Sequence, residues 1–229
     1  MSRTAGSDGA RSEEMIRRAA IELIAKHGFE AMTLRQLAER VGLQPGSIYR
    51  YFPSKGKLLA QLQKEHLEFL LSHWAAEARG LQAGVLNRLK AFVDFHIRYH
   101  TLRRQEVFVA NMELRSLEPD DYKDVVALRK RYEKILQSIL TEGVALGLFK
   151  IRAALPVSAG KGQSEVTVAS FAILAMLTGV GTWFNDSGRM AKQDLIKLYI
   201  QMVFQSLGVS PDFEPQPQLK GARIEHAQL

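Results

Sequence analysis

Residues 33–57 read TLRQLAERVGLQPGSIYRYFPSKGK, and this stretch decides the fold. Thr33 with Gln36 three positions on has the spacing of a capping box, in which hydroxyl and amide satisfy each other's backbone N–H groups at a helix start. Leu34, Leu37, Ala38 and Val41 then share one face at helical spacing, and Gly42 stands where a helix ends in the left-handed region. Pro45 suits the first turn of a second, short helix running to about Tyr51, because its missing N–H has no intrahelical partner there. Pro53 stops that helix and Ser54 caps a third. Two helices joined by a few residues containing glycine form a helix-turn-helix, a unit whose second helix can lie in the major groove of DNA.

The residue types in the second helix suit that task. Gly46, behind Pro45 at the tip, lets the backbone approach a duplex closely. Base readout is expected from Gln44, Ser47 and Arg50, since amide, hydroxyl and guanidinium groups match base edges. Anchoring to phosphates is expected from Thr33, Arg35, Tyr49, Tyr51, Lys55 and Lys57, the two lysines acting with the free N–H groups of the third helix. A plain helical hairpin with a basic surface is the competing reading.

The residues themselves favour the first. The segment closely resembles the DNA-binding signature of the TetR family of bacterial transcriptional regulators, including YRYFPSK and its spacing from the preceding Ala-Glu-Arg-Val-Gly. The resemblance implies a homodimer that binds double-stranded DNA at a palindromic operator, with a small-molecule effector controlling the affinity. Control by a protein partner is the alternative. Gln44 departs from the Ser or Thr more usual at its place in the family, which bears on base preference and on the cap.

Composition is compatible with both readings. The chain has 229 residues, 46% hydrophobic and 24% charged, as in a globular protein. It has no cysteine, which excludes disulfides, thiolate zinc sites and a cysteine nucleophile. Net charge is +7, and residues 1–58 hold ten Lys/Arg against six Asp/Glu, so basic density is highest where the motif lies. The opening MSRTAGSDGA has no hydrophobic run and does not resemble a targeting peptide, so residues 1–11 are expected to be a flexible arm and the protein cytoplasmic.

Working outward, an apolar stripe of Ile16, Ala19, Ala20, Leu23 and Ile24 predicts a helix from Ser12 to His27, with Phe29 and Met32 plugging a small core. This completes a DNA-binding domain over residues 12–57. Arg17 and Arg18 are as well explained by a solvated face as by phosphate contacts. A long helix over Leu58–Ala78 follows, which the resemblance identifies as the link to a C-terminal effector-binding and dimerisation domain over 58–208. Further helices are expected at Val85–Thr101, Arg104–Ser116 and Asp120–Leu146, then a loop over 147–163. No stretch before residue 147 alternates like a strand. The expected class is therefore all-α: a three-helix N-terminal domain joined by a long helix to a larger helical one.

Residues Val166–Phe184 are apolar on almost every face and long enough to span a bilayer. Hydroxyl and small residues lower their hydropathy and no charge cluster follows, so a helix buried on all sides is expected instead, with no membrane. An amphipathic helix, Gln193–Leu207, comes next. By resemblance these two helices pair across a dimer, with Ala172, Ala175, Met176, Gly179, Leu195, Tyr199, Met202 and Val203 at the interface. Spacing alone fits the core of a monomer equally well. The Pro/Gln-rich residues 209–229 are expected to be a mobile tail.

MELRSLEPDDYKDVVALRKRYEKILQSILTEGVALGLF (112–149) and GVGTWFNDSGRMAKQDLIKLYIQMVFQSLG (179–208) resemble, more loosely, a branch of the family in which several members sense acyl-CoA thioesters. Such an effector needs an apolar tunnel with a few polar anchors. Asn111, Glu113, Arg115, Arg129 and Tyr132 are the expected anchors. Phe69, His73, Phe95, Tyr99, Phe108, Met112 and Trp183 are the expected walls, though each also fits plain core or surface. His96 and His100, four apart, have a spacing compatible with a metal but lack a third ligand. No metal or cofactor is expected. No GxSxG, HExxH or Walker pattern occurs, so an enzyme is not expected.

Overall fold

The computed structural model describes residues 5–81, 84–151 and 164–209, and every regular element among them is helical. In order these are α1 (Ala5–His27), α2 (Leu34–Arg40), α3 (Pro45–Ile48), α4 (Lys55–Ala78), α5 (Val85–Leu102), α6 (Arg104–Met112), a 3₁₀ turn (Leu114–Ser116), α7 (Pro119–Ala145), α8 (Glu165–Trp183) and α9 (Lys192–Ser206). Helix α1 starts at Ala5 rather than Ser12, so most of the expected arm is helical. Once the Ile16–Ile24 stripe nucleates a helix, adding residues at its end costs little. The sequence stretch 104–116 also divides, because after Met112 the chain tightens into the 3₁₀ turn.

The predicted caps are present. Thr33 N donates to Gln36 Oε1 at 3.0 Å and Gln36 N to Thr33 Oγ1 at 3.2 Å, which closes the capping box. At the other end of α2, Gly42 has φ +70 and Leu43 N reaches back to the Ala38 carbonyl at 2.9 Å, the Schellman arrangement. Ser54 Oγ accepts from Lys57 N at 3.1 Å.

Two cores result. The smaller gathers Ile16, Ile24, Phe29, Met32, Leu37, Ile48, Phe52 and Leu58 under the helix-turn-helix, and Val109 of α6 enters it from the other domain. The larger, around Phe92, Val93, Leu136, Leu140 and Leu177, holds α4, α5, α7, α8 and α9 together. The upper half of α4 belongs to the first core and the lower half to the second, so this helix is a rigid strut between them.

Helix α8 departs from expectation. Only Ser170, Ile173, Leu177 and Val180, a single i, i+3, i+7 stripe, are buried, while Val168, Phe171 and Trp183 are exposed. It alone among the described helices is long and apolar enough to cross a membrane. Helix α9 sends Leu195, Tyr199 and Val203 into the core and leaves Leu198 and Met202 outside. Of the residues expected at a subunit interface, Leu195, Tyr199 and Val203 thus pack within one chain. Their helical phase, which spacing alone could not orient, points them at α5. Ala172, Ala175 and Met202 lie on open faces, with Met176 and Gly179 half-buried. The expected tail, apart from Val209, and the loop beyond Ile151 fall outside the described residues.

Candidate functional site

The helix-turn-helix presents its tip to solvent because Ile48 and Phe52, both at most 1% exposed, hold α3 from beneath. Gln44, Pro45, Gly46, Tyr49 and Arg50 are exposed, Ser47 and Tyr51 partly so, and Thr33 and Arg35 flank them on α2. Gln44 caps α3 only through its carbonyl, which accepts from Ser47 N at 2.8 Å, and its side chain makes no cap bond. The amide is thereby left to face outward. The Arg50 guanidinium lies 5.9 Å from the centre of the Tyr51 ring. Arg35 pairs with Glu39 at 3.2 Å on an exposed face, a contact that phosphate can displace at little cost.

The two lysines of α4 have other partners. Lys55 Nζ donates to the carbonyls of Phe29 at 2.9 Å and Glu30 at 3.2 Å and sits 4.2 Å from the centre of the Phe29 ring. Lys57 Nζ donates to Asp121 Oδ2 at 2.7 Å, across the seam between the domains. Both were expected on phosphates; within the chain Lys55 stitches the reading head together, and Lys57, its side chain still 55% exposed, ties it to α7. Lys64 completes this tie, reaching Asp121 at 3.0 Å and Asp124 at 2.8 Å. The hydrogen bond from Lys57, with that from Lys64, holds the Asp121 carboxyl below its ordinary pKa. A second tie runs through Glu113, expected to anchor an effector, whose Oε1 accepts from Phe29 N at 2.9 Å. Sequence reasoning missed Asp121 because nothing local marks it.

Between the two domains lies a cleft of about 1050 Å³ bounded by the end of α1 (Leu23, Lys26, His27), by Arg104, Phe108, Asn111 and Met112 of α6, and by Phe171, Ala175 and Thr178 of α8. A smaller inner chamber of about 120 Å³ shares Asn111, Glu133, Leu174 and Thr178 with it. The chamber has mixed walls, Leu67, Leu70, Ala110 and Leu174 beside several polar groups. His66 of α4, His96 and His100 of α5, and Arg129 and Tyr132 of α7 line it. His96 Nδ1 lies 3.1 Å from the Tyr132 hydroxyl and its Nε2 3.1 Å from Thr178 Oγ1. His100 stacks parallel on His96, ring centres 3.7 Å apart, and donates from Nδ1 to the His96 carbonyl at 2.8 Å. Burial pushes the His66 imidazole down to about 3 and that of His100 to about 4, and holds His96 well below the ordinary histidine range. At neutral pH all three are uncharged hydrogen-bonding groups.

Of the expected effector residues, Asn111, Arg129 and Tyr132 meet in the chamber and Phe108 and Met112 in the cleft. Phe69 lines a separate hollow of about 300 Å³ beside His66 and Arg103. Phe95 and Tyr99 are core, with Phe95 against Trp74 and the Tyr99 hydroxyl donating to the His66 carbonyl at 3.3 Å. His73, Arg115 and Trp183 are exposed and border none of these three spaces. His66 and His73 stand seven residues apart on α4, an interval that puts both on one helix face, but only His66 borders the chamber. No cluster of three metal-ligating side chains occurs among the described residues.

An exposed helix-turn-helix packed against a larger helical domain is the arrangement of a two-domain DNA-binding regulator. Residues 16–62 match the family model for bacterial regulatory proteins of the tetR family, and residues 82–207, over half the chain, match the tetracyclin repressor-like C-terminal domain. The chain belongs to the TetR family of DNA-binding transcriptional regulators, and is not an enzyme. It is 27% identical to the fatty acid metabolism regulator protein of Bacillus subtilis over 58% of this chain and 68% of that protein. It is 23% identical to the transcriptional repressor KstR2 of Rhodococcus jostii over 89% and 94% of the two chains. Its fold superposes on the crystal structure of AibR in complex with isovaleryl coenzyme A and operator DNA, with a TM-score of 0.72, 19% identity, and coverage of 87% and 100%.

Proposed function

We propose that this chain is a cytoplasmic homodimeric repressor that leaves a palindromic operator when an amphipathic effector, of the acyl-thioester kind, fills the cleft and chamber. One observation carries the reading: the cleft is walled by α1 of the reading head on one side and by α6 and α8 on the other. A ligand there touches both domains, so it has different contacts in any two states that differ in head position. That differential is what shifts an equilibrium. The cations Lys26 and Arg104 on the cleft wall suit a phosphate-bearing ligand, and the relatives named for fatty acid metabolism and isovaleryl coenzyme A point the same way.

The dimer is supported by the exposed apolar residues of the last two helices, Val168 and Ala172 on α8 and Leu198 and Met202 on α9, which subunit contacts would cover. A two-fold dimer presents two copies of α3 to successive major grooves. In this reading Gln44, Ser47 and Arg50 read bases, while Thr33, Arg35, Tyr49 and Tyr51 hold phosphates. Duplexes selected from a random pool by the purified protein should carry a two-fold-symmetric site, bound with strong salt dependence, and CoA thioesters should lower that affinity. A selected pool without symmetry sinks the dimeric operator. Symmetric selection with no response to any CoA thioester sinks the effector class.

A further inference from the structure

The reading head is held to the body on two sides. One is the strut α4, whose Lys57 and Lys64 are pinned to Asp121 of α7. The other is the end of α6, where Val109 enters the core of the head and Glu113 Oε1 accepts from Phe29 N at 2.9 Å. A head held by the strut and an apolar contact alone can turn, since side chains slide over one another, whereas a hydrogen bond fixes distance and direction. Glu113 supplies that fixed point. Gly28, with φ +81, ends α1 in the left-handed region, and the Phe29 N–H beyond it meets the Glu113 carboxylate. The carbonyl of the same Phe29 accepts at 2.9 Å from Lys55, the first residue of α4 and the next element after α3. Stability does not call for a carboxylate here. Glu113 is the C-cap of α6, and a Cβ built on Gly28 at the end of α1 would lie 3.8 Å from its Oε1. The carboxylate thus stands by the C-terminal ends of two helices, where the partial charge is already negative. What the charge adds is a stronger hydrogen bond to the Phe29 amide. The arrangement favours the aim of the head over the comfort of the two helix ends.

We propose that Glu113 is a specificity-determining residue for the distance between operator half-sites. By fixing the Phe29 amide it holds each head at one angle to its body, and so fixes the separation of the two copies of α3 in the dimer. This rests on the dimeric reading above and adds to it the residue that sets the spacing. One base pair inserted between half-sites moves the second by about 3.4 Å and turns it by about 35°. A head with a fixed angle cannot follow that change, and a head released from Glu113 follows part of it. Asn111 and Met112, beside Glu113 at the end of α6, border the cleft, so a ligand there bears on the segment that carries the fixed point.

The experiment measures binding of the full chain, by fluorescence anisotropy at one salt concentration, to the duplex that the wild-type protein selects from a random pool. Versions with one base pair added or removed between its half-sites, and a single half-site, complete the set. The wild-type chain is expected to lose at least the roughly tenfold of a mismatched base pair when the spacing changes. Glu113→Ala should lose only about threefold, with its affinity for the single half-site unchanged. Glu113→Gln keeps an acceptor for Phe29 N and should discriminate nearly as the wild type does. Ser116→Ala removes only the donor to Glu113 Oε2, at 3.1 Å, and should relax the spacing in the same direction by less. Equal spacing penalties in the wild type and Glu113→Ala overturn the role of Glu113 and leave the dimer standing. An equal fall in affinity for every duplex, half-site included, does the same, because it marks a head merely destabilised. If Glu113→Ala does not fold, Ser116→Ala decides, and an unaltered spacing penalty there overturns the proposal. A wild-type chain that selects no two-fold duplex, or is indifferent to spacing, overturns both the proposal and the dimeric reading.

Discussion

The reading head and the inner chamber put polar side chains to opposite uses. At the tip of α3, Gln44, Tyr49 and Arg50 are exposed and the packing is done by Ile48 and Phe52 beneath them. In the chamber, His66, His96, His100 and Tyr132 are themselves buried, and the last three satisfy one another. Side chains of the first kind can change with little effect on folding, because water replaces what they lose. Those of the second kind are part of the core, and each change there is felt in stability before it is felt in binding. Substitution at the tip of α3 is therefore expected to spare the fold, whereas substitution in the chamber is not.

The sharpest test of this contrast is pH. A histidine whose folded pKa is depressed contributes stability that is fully present above its unfolded value of about 6.5 and is lost as pH falls toward the folded value. For His66 and His100 the window is therefore from about 6.5 down to about 3 and about 4. Each contributes a loss approaching about 1.4 kcal/mol per pH unit within it, and His96 adds to the slope. Urea midpoints should fall steeply from pH 7 to pH 5; a flat profile there breaks the picture of a neutral buried cluster.

A matched pair of glycine substitutions comes next. A Cβ on Gly143 would lie 2.0 Å from the buried Phe149 ring, so Gly143→Ala should lower stability by about 1–3 kcal/mol in denaturant melts. Equal midpoints would show that the ring moves freely. Gly46 has nothing within 4 Å, so Gly46→Ala should leave the melt unchanged and act only on DNA, where a methyl group blocks close approach. Between these two in expected size stands Arg50→Ala, which should weaken operator binding by about 1–3 kcal/mol with stability within about 0.5. Retained affinity at matched salt would remove Arg50 from the readout set. Should Gly46→Ala instead unfold the head, the separation between a surface that reads DNA and a core that supports it would fail.

Much of the head was legible because its determinants are local. The capping box, Gly42 in the left-handed region, Pro45 and the Ser54 cap each depend on backbone groups a few residues away, so spacing along the chain is spacing in space. The chamber was legible only in part. Asn111, Arg129 and Tyr132, polar groups flanking the Pro119 bracket, do line it, whereas Phe95 and Tyr99 share the helical phase of cavity-facing residues and are core.

By itself, then, the sequence determined the class, the helix boundaries to within a turn over most of the chain, and the place of the helix-turn-helix, all consequences of short-range hydrogen bonding and of periodicity. The tertiary structure alone decided which groups the lysines of α4 meet, which side of α8 and α9 stays open, and that His66 rather than His73 borders the chamber. Lys57 meets Asp121 across 64 residues and Phe29 meets Glu113 across 84, and the phase of a helix does not say which neighbour its faces will meet. Those contacts depend on how whole helices pack, and packing is settled by the sum of many weak apolar contacts rather than by any one residue.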